Sequence, residues 1–180
     1  MILSLRDVYH DVVRTFLLGL LVGLIIVPLC VWVYFRFGFA PVGTDAGAMP
    51  FEKYLARADL NARVSKEAPK SSPLPATDTN YKGGAHVYRQ HCAICHGLPR
   101  QPETFISRGE YPHPPQLFEG HGVTDDPAGE TYWKVANGIR LTGMPAFKKT
   151  LSEDEMWQVS LLLAYADKIP KIFTLNSKQC

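Results

Sequence analysis

The sequence lacks a stripe of basic residues, an internal repeat and a cysteine framework. Lysine and arginine total 19 against 17 aspartates and glutamates, a formal net charge of +2, so nucleic acid is not an expected partner. Only four cysteines occur, of which Cys30 lies in an apolar run and Cys180 is the last residue. The one close pair, Cys92 and Cys95, does not make a disulfide-stapled fold.

The longest uncharged run is TFLLGLLVGLIIVPLCVWVYF, whose 21 residues would span about 30 Å as a helix, the thickness of a bilayer core. It is longer than the apolar part of a cleaved signal peptide. We therefore expect an N-terminal segment at 1–14 and a single uncleaved transmembrane helix at 15–36. Gly19 and Gly23 have the spacing that lets a second helix approach closely.

Residues 37–79 are expected to form a juxtamembrane segment and a linker. An amphipathic helix is indicated there by four apolar residues at helical spacing, namely Phe51, Leu55, Ala58 and Ala62. The stretch APKSSPLPATDTN that follows is rich in proline and small polar residues, which favours an extended linker. A soluble domain then occupies 80–170, and 171–180 is a C-terminal tail.

The soluble domain shows no alternating strand pattern, so we predict an all-α fold. Residues 81–92 and 152–168 have helical character, and a further short helix is expected around 130–137. Ser152 and Glu155 have the S-x-x-E spacing of a capping box, which predicts that the last helix starts there.

The motif CAICH places Cys92, Cys95 and His96 in the C-x-x-C-H pattern of covalent haem attachment. Each thiol can add to a vinyl group of the porphyrin while the histidine binds the iron, so we predict one covalently attached haem c. A thioredoxin-like dithiol would follow a strand in a βαβ unit, and a structural zinc site would need a second ligand pair. The sequence offers neither.

Met144 is the best candidate for the opposite side of the iron. It lies in NGIRLTGMPAF, where Gly143 and Pro145 keep the backbone non-helical. Histidine and methionine ligation raises the reduction potential and closes the iron to other ligands. Met156, on the last helix, is more simply a packing residue. For four histidines of the soluble part, hydrogen bonding in loops or at the surface is the default role: His86, His91, His113 and His121.

A ligating imidazole usually donates its second N–H to a fixed acceptor. A proline carbonyl from YPHPPQLFEG, Pro114 or Pro115, would serve, and Leu117 is a candidate apolar wall. Three more side chains are candidates for contacts with haem propionates and equally for surface or core positions: Tyr132, Trp133 and Arg140.

Taken together, these motifs resemble those of class I c-type cytochromes. The resemblance rests on G-x-x-x-Y before CAICHG, the P-x-L of Pro115 to Leu117, NGIRLTGMPAF, and a last helix bearing Trp157 and Tyr165. It covers about half of the chain. Membrane-anchored members and the cytochrome subunits of cbb3-type oxidases are similar in plan, although the two-haem subunits carry a second C-x-x-C-H. The resemblance implies thioethers at Cys92 and Cys95, His96 as proximal ligand, Met144 as distal ligand and the Pro115 carbonyl as acceptor.

The resemblance also implies a function. It predicts a non-enzymatic carrier of single electrons between respiratory-chain components, either a complex subunit or a tethered shuttle. The implied partner is a membrane redox complex, such as a quinol-oxidising complex, a terminal oxidase or a dehydrogenase. The implied location is the bacterial inner membrane, with the N-terminus inside and the haem domain in the periplasm. The alternatives are an open-site haem enzyme or gas sensor with a displaceable Met144, and a structural subunit with a plain dithiol.

Overall fold

The computed structural model describes residues 5–118 and 126–168. The chain divides after Met49 into two compact units, each described here by itself. The predicted tail at 171–180, His121 and Cys180 lie outside the described residues.

The first unit contains one long helix, α1 (Leu5–Arg36). Within it, Val8–Arg36 is long and apolar enough to cross a membrane, and its side chains are exposed rather than packed on protein. The helix begins ten residues before the expected 15 because an uncharged run marks the apolar part of a helix, whereas backbone hydrogen bonding continues into the polar residues before it. No protein atom lies within 4 Å of a Cβ built at Gly19 or Gly23. Their packing against another helix remains a prediction.

The second unit is built from helices alone among its described residues, as expected of an all-α domain. In chain order they are α2 (Glu52–Glu67), α3 (Asp78–Val87), a π-helical turn (Tyr88–Cys92), α4 (Ala93–His96), α5 (Phe105–Gly109), α6 (Ala128–Asn137) and α7 (Glu153–Ala164). The sequence did not predict α5. The expected helix at 81–92 is two elements, because the backbone widens after α3 into i→i+5 bonding, with Ala93 N–H donating to the Tyr88 carbonyl.

The start of α7 follows the predicted capping box. Glu155 N–H donates to Ser152 Oγ (3.3 Å), and Ser152 N–H donates to Glu155 Oε2 (2.8 Å). Both halves of the box are therefore present, which confirms the prediction. The bond from Ser152 N–H and a second one from the Ser152 hydroxyl to Glu155 Oε2 (2.7 Å) lower the pKa of the Glu155 carboxyl.

The core forms where α3 and α6 pack against α7. At the crossing of α3 and α7, a Cβ built at Gly84 would overlap the carbonyl oxygen of Gln158 and come within 3.1 Å of Leu162 Cβ. Only glycine lets the two backbones approach this closely. The most buried core side chains include Val87, Tyr88, Val135, Val159, Leu162 and Leu163. The C-x-x-C-H motif therefore follows directly on a helix that is fixed in the core.

The juxtamembrane helix α2 belongs to the second unit. Val64 is 2% exposed, and the indole N–H of Trp133 in α6 donates to Glu67 Oε2 at 3.1 Å. Lys53 Nζ lies 5.9 Å from the centre of the Tyr111 ring at the other end of α2. The helix is thus docked along its length.

The proline-rich stretch after α2 is also in contact with the domain. Residues 68–77 contain no helix or strand, in agreement with their composition. However, the Pro69 carbonyl lies against Gly129 at the start of α6, so closely that a Cβ there would overlap it. The juxtamembrane segment and linker expected at 37–79 thus overlap the second compact unit, which begins at Pro50. A proline-rich composition therefore argues against helix formation, but it does not prevent the segment from packing on the domain.

Candidate functional site

The two cysteines of the C-x-x-C-H motif are held at the junction of the π-helical turn and α4. Cys92 ends the turn and Cys95 lies in α4, and both are free thiols. Burial, with a smaller effect from Cys95, raises the pKa of Cys92 to about 12. Burial also raises the pKa of Cys95, with Glu110 adding to the effect. Two neutral thiols do not fit a reactive dithiol, whose attacking sulfur needs a lowered pKa.

The residues around the cysteines do not provide further metal ligands. Within the described 5–118 and 126–168, no group of three or more His, Cys, Asp or Glu residues is placed to hold a metal ion. A structural zinc site normally uses four such ligands. The geometry therefore gives no support to the zinc reading of the cysteine pair.

The end of the motif is fixed by Tyr88. Its buried hydroxyl donates to the Gly97 carbonyl at 2.8 Å, and its ring meets Phe118 edge-to-face with centroids 4.8 Å apart. Burial raises the pKa of the Tyr88 phenol, so it remains a donor at physiological pH. Gly97 has φ +72°, a conformation that favours glycine. The chain therefore turns sharply just after His96.

His96 has the orientation expected of a ligand. Its Nδ1 lies 2.8 Å from the carbonyl oxygen of Pro115. Because a carbonyl can only accept, Nδ1 carries the proton and Nε2 keeps its lone pair. Burial lowers the pKa of His96, opposed by the Pro115 bond and by Glu110, which favours the neutral imidazole that binds metals. Of the two prolines considered from the sequence, the structure places Pro115 at the imidazole.

Met144 is positioned by a loop that closes back on the end of α6. Ile139 N–H donates to the Met144 carbonyl (3.2 Å), and Met144 N–H donates to Thr142 Oγ1 (3.1 Å). Gly138 makes the turn with φ +67° and ψ −177°. A Cβ at Gly138 would come within 2.8 Å of the Met144 carbonyl oxygen, so the loop fits tightly here.

Met144, Cys92 and Leu117 are partly buried against the same core cluster. The donor set is thus two neutral thiols, an imidazole with Nε2 free, and a thioether, all beside an apolar core. This set fits haem c, in which thioethers replace thiols and histidine and methionine are the iron ligands. Met156 is 5% exposed inside the core, in agreement with a packing role.

Glu110 is a site residue that the sequence reading missed. The Cys95 thiol lies 3.8 Å from Glu110 Oε1, and the carboxylate lies against Gly143, so closely that a Cβ there would overlap it. Glu110 thus contacts both the attachment segment and the methionine loop. It stands fifteen residues from Cys95 and just after α5, and no local pattern in the sequence marks it.

Trp133 does not serve as a propionate contact through its indole. An indole has one donor, and that of Trp133 is used by Glu67 of α2. Tyr132 stacks on Trp157, with ring centroids 4.1 Å apart and planes 14° apart. Arg140 is exposed on the methionine loop. Arg140 and the Tyr132 hydroxyl therefore stay candidates for propionate contacts.

The described histidines outside the motif have other neighbours. His113 Nε2 lies 3.2 Å from Glu103 Oε1, and the His91 ring meets Phe147 edge-to-face at 6.1 Å. His86 lies in α3, ahead of the attachment turn. None of these contacts resembles the held imidazole of His96.

Residues 79–162, from α3 into α7, match the family model of cytochrome C oxidase, cbb3-type, subunit III. This part of the chain is a class I c-type cytochrome domain. Such a domain carries haem c and implies haem-based electron transfer. No curated protein matches the chain. Among solved structures, a chain of the reducing HAO-like protein complex of Kuenenia stuttgartiensis aligns with a TM-score of 0.47 and 22% identity, covering 53% of this chain and 47% of that one.

Proposed function

We propose that the protein is a membrane-anchored mono-haem cytochrome c that transfers single electrons between components of a respiratory chain. The observation that carries the proposal is the fixed imidazole: His96 donates Nδ1–H to Pro115 directly after two neutral thiols. Cys92 and Cys95 would hold the haem as thioethers, each S–H adding across one vinyl C=C bond with no leaving group. When bound, the haem supplies a one-electron ferric/ferrous couple.

The protein's own residues give that couple its properties. His96 binds through Nε2, and its bond to Pro115 fixes the ring and increases its basicity. Met144 would supply a thioether as the second iron ligand, which favours the reduced iron and excludes exogenous ligands. Leu117 and the neighbouring core exclude water from one side. With His96 and Met144 as the two iron ligands, the iron would have no open coordination position, which favours a carrier or a complex subunit over an enzyme.

α1 is proposed as the membrane anchor, with residues 1–14 in the cytoplasm and the haem domain in the periplasm of a bacterial inner membrane. Between Arg36 and Phe51 the connection is fourteen residues, 37–50, which extend to at most about 50 Å. The partner must therefore present its redox centre near the membrane surface. A quinol-oxidising complex, a terminal oxidase or a membrane dehydrogenase has the required location. The docked α2 and the short connection favour a fixed subunit over a far-ranging shuttle.

The first test is whether haem stays on the chain after denaturation. The full chain, expressed with a cytochrome c maturation system, should retain haem on a denaturing gel, and Cys92→Ala with Cys95→Ala should lose it. Retention by the double variant would mean that the haem is held by residues other than Cys92 and Cys95, and absence of haem from the unmodified chain would leave the dithiol reading.

The second test concerns the distal ligand. Met144→Ala should lower the reduction potential and let the ferrous protein bind carbon monoxide, because a sulfur donor is lost. Met156→Leu, a core change of similar volume, is the matched control and should do neither. Prompt carbon monoxide binding by the unmodified protein would instead favour an open-site haem enzyme or gas sensor.

The third test asks what the protein assembles with. Mildly solubilised membranes run on a native gel and stained for haem should show the chain in a complex much larger than its own 20.1 kDa. Migration alone would favour the tethered shuttle.

A further inference from the structure

The juxtamembrane helix α2 has two apolar faces, and only one of them is covered. The covered face carries the half-buried Leu60 and the buried Val64, followed by Glu67, which accepts from Trp133. The other face is an exposed apolar stripe made of Phe51 at the helix start, Tyr54, Leu55, Ala58 and Ala62. At 3.6 residues per turn the two faces lie on opposite sides of the helix.

The exposed stripe is most apolar at the end of α2 nearest the anchor. Phe51 is 76% exposed, Tyr54 72% and Leu55 62%, and all three lie within the first helical turn. Exposed apolar groups clustered in this way mark a surface that another phase or molecule covers. The amphipathic spacing visible in the sequence therefore belongs to the outward face and not to the docked one.

Charged residues border the stripe. Arg57 lies on one side and Lys66 on the other, both exposed, and such side chains extend to lipid headgroups while their stems cover apolar surface. Asp59, on the Lys66 side, offsets one of these charges. Apolar contact, more than net charge, is thus the main attraction this helix offers.

We propose that this stripe lies in the headgroup zone of the bilayer that α1 spans. A helix with an apolar face, flanking cations and aromatic residues is the type that binds in the interface plane. Residues 37–50 limit how far Phe51 can move from the end of α1, with a root-mean-square reach of roughly 20 Å for a flexible chain of that length. Such tethering gives the stripe a high effective concentration at the lipid surface and a lower one at any untethered protein.

The consequence is a fixed orientation of the cofactor site. α2 is joined to the cytochrome domain at both ends, by Lys53 over the Tyr111 ring and by Glu67 with Trp133. Tyr111 follows Glu110, whose carboxylate contacts Cys95. Seating the stripe in lipid would therefore orient the haem-attachment segment relative to the membrane plane.

The inference rests on the proposed anchoring by α1, and the experiment separates the two. The haem-loaded full chain, with Cys30→Ser and Cys180→Ser, is reconstituted in vesicles of phosphatidylethanolamine and phosphatidylglycerol. A nitroxide is attached at one introduced cysteine, and its collision rates with oxygen and with a water-soluble nickel complex are measured. Ala58→Cys reports the stripe. Ala56→Cys, also exposed and on the same helix but off the stripe, is the matched control, and Leu21→Cys reports α1.

We expect the Ala58→Cys label to collide with the nickel complex several-fold less than the Ala56→Cys label, and with oxygen more. Adding Leu55→Asp and Phe51→Asp should abolish the difference. Equal nickel accessibility at the two sites, with the Leu21→Cys label in lipid, would overturn the inference and leave the anchor intact. Protection of Ala58→Cys in native membranes but not in vesicles would also overturn it, because a protein then covers the stripe. A water-exposed Leu21→Cys label would remove the anchor and with it this inference.

Discussion

Replacing Gly138 by alanine should destabilise the methionine loop. Gly138 has φ +67° and ψ −177°, a region that is essentially limited to glycine and costs other residues about 1–3 kcal/mol. The added Cβ would also lie 2.7 Å from Ala146 N and 2.8 Å from the Met144 carbonyl oxygen. These are backbone atoms, so no side-chain rotation relieves the overlap.

The expected loss in the free energy of unfolding can be worked out from the hydrogen bonds of the loop that the added Cβ would displace. The loop is attached to its surroundings by hydrogen bonds from Ile139 N–H to the Met144 carbonyl and from Phe147 N–H to the Val135 carbonyl. Each contributes about 1 kcal/mol net. Conformational strain together with one weakened bond gives an expected loss of about 2–4 kcal/mol in the free energy of unfolding. The shifted loop should also let the ferrous protein bind carbon monoxide.

The assay is denaturant unfolding of the haem-loaded chain in detergent, followed by haem absorbance and tryptophan fluorescence. Gly109→Ala is the control, because no atom lies within 4 Å of its added Cβ and it ends a helix, where alanine is at least neutral. If Gly138→Ala unfolds at the same denaturant concentration as Gly109→Ala and stays closed to carbon monoxide, the tight closure of this loop is not what positions Met144.

Three further predictions concern the same domain. Glu110→Gln should raise the reduction potential by tens of millivolts at unchanged haem content, because a negative charge beside the site favours ferric iron; an unchanged potential in a redox titration would refute this. Tyr88→Phe should cost about 1–3 kcal/mol in denaturant unfolding, because the buried Gly97 carbonyl loses its donor; a loss below this range would mean that water replaces the hydroxyl. Ser152→Ala should lower the unfolding midpoint at neutral pH. The pKa of Glu155 is lowered in the folded state, so the bond from the Ser152 hydroxyl to its carboxylate contributes above the ordinary pKa and is lost as pH falls through the folded value, while the bond from Glu155 N–H to Ser152 Oγ persists; a midpoint difference that does not shrink in acid would contradict the reciprocal box.

Local signals in the sequence predicted what depends on local interactions. The capping box at Ser152 requires only two residues one turn apart, and its geometry is as expected. The transmembrane helix follows from a long uncharged run, although its start at Leu5 does not, because apolar composition does not mark the end of helical hydrogen bonding. The C-x-x-C-H motif likewise depends on spacing within five residues. In each case the interactions that form the structure are between residues close in sequence, so the local pattern is enough to predict it.

Contacts between distant segments were not predicted in the same way. The sequence leaves Trp133 open as a propionate contact, a surface residue or a core residue, and in the structure its N–H donates to Glu67, 66 residues earlier. The helix α5 is only five residues long and has too few positions to show a period. Glu110, at the end of that short helix, reaches Cys95 only because the chain folds back there.

The helix α2 shows why an amphipathic pattern alone does not identify what a helix packs against. Its clearest apolar spacing, beginning with Phe51 and Leu55, lies on the outward face, whereas packing on the domain uses Leu60, Val64 and a hydrogen bond that Glu67 accepts from Trp133. A few buried side chains and polar contacts suffice when the partner surface is complementary, and they do not produce a strong periodic signal. The stronger pattern therefore reports the contact that the folded domain leaves unsatisfied. Under the proposed anchoring by α1, the bilayer is the apolar surface within reach of residues 37–50, so the unused face and the short connection are the two observations that support the proposed seating of α2 in lipid.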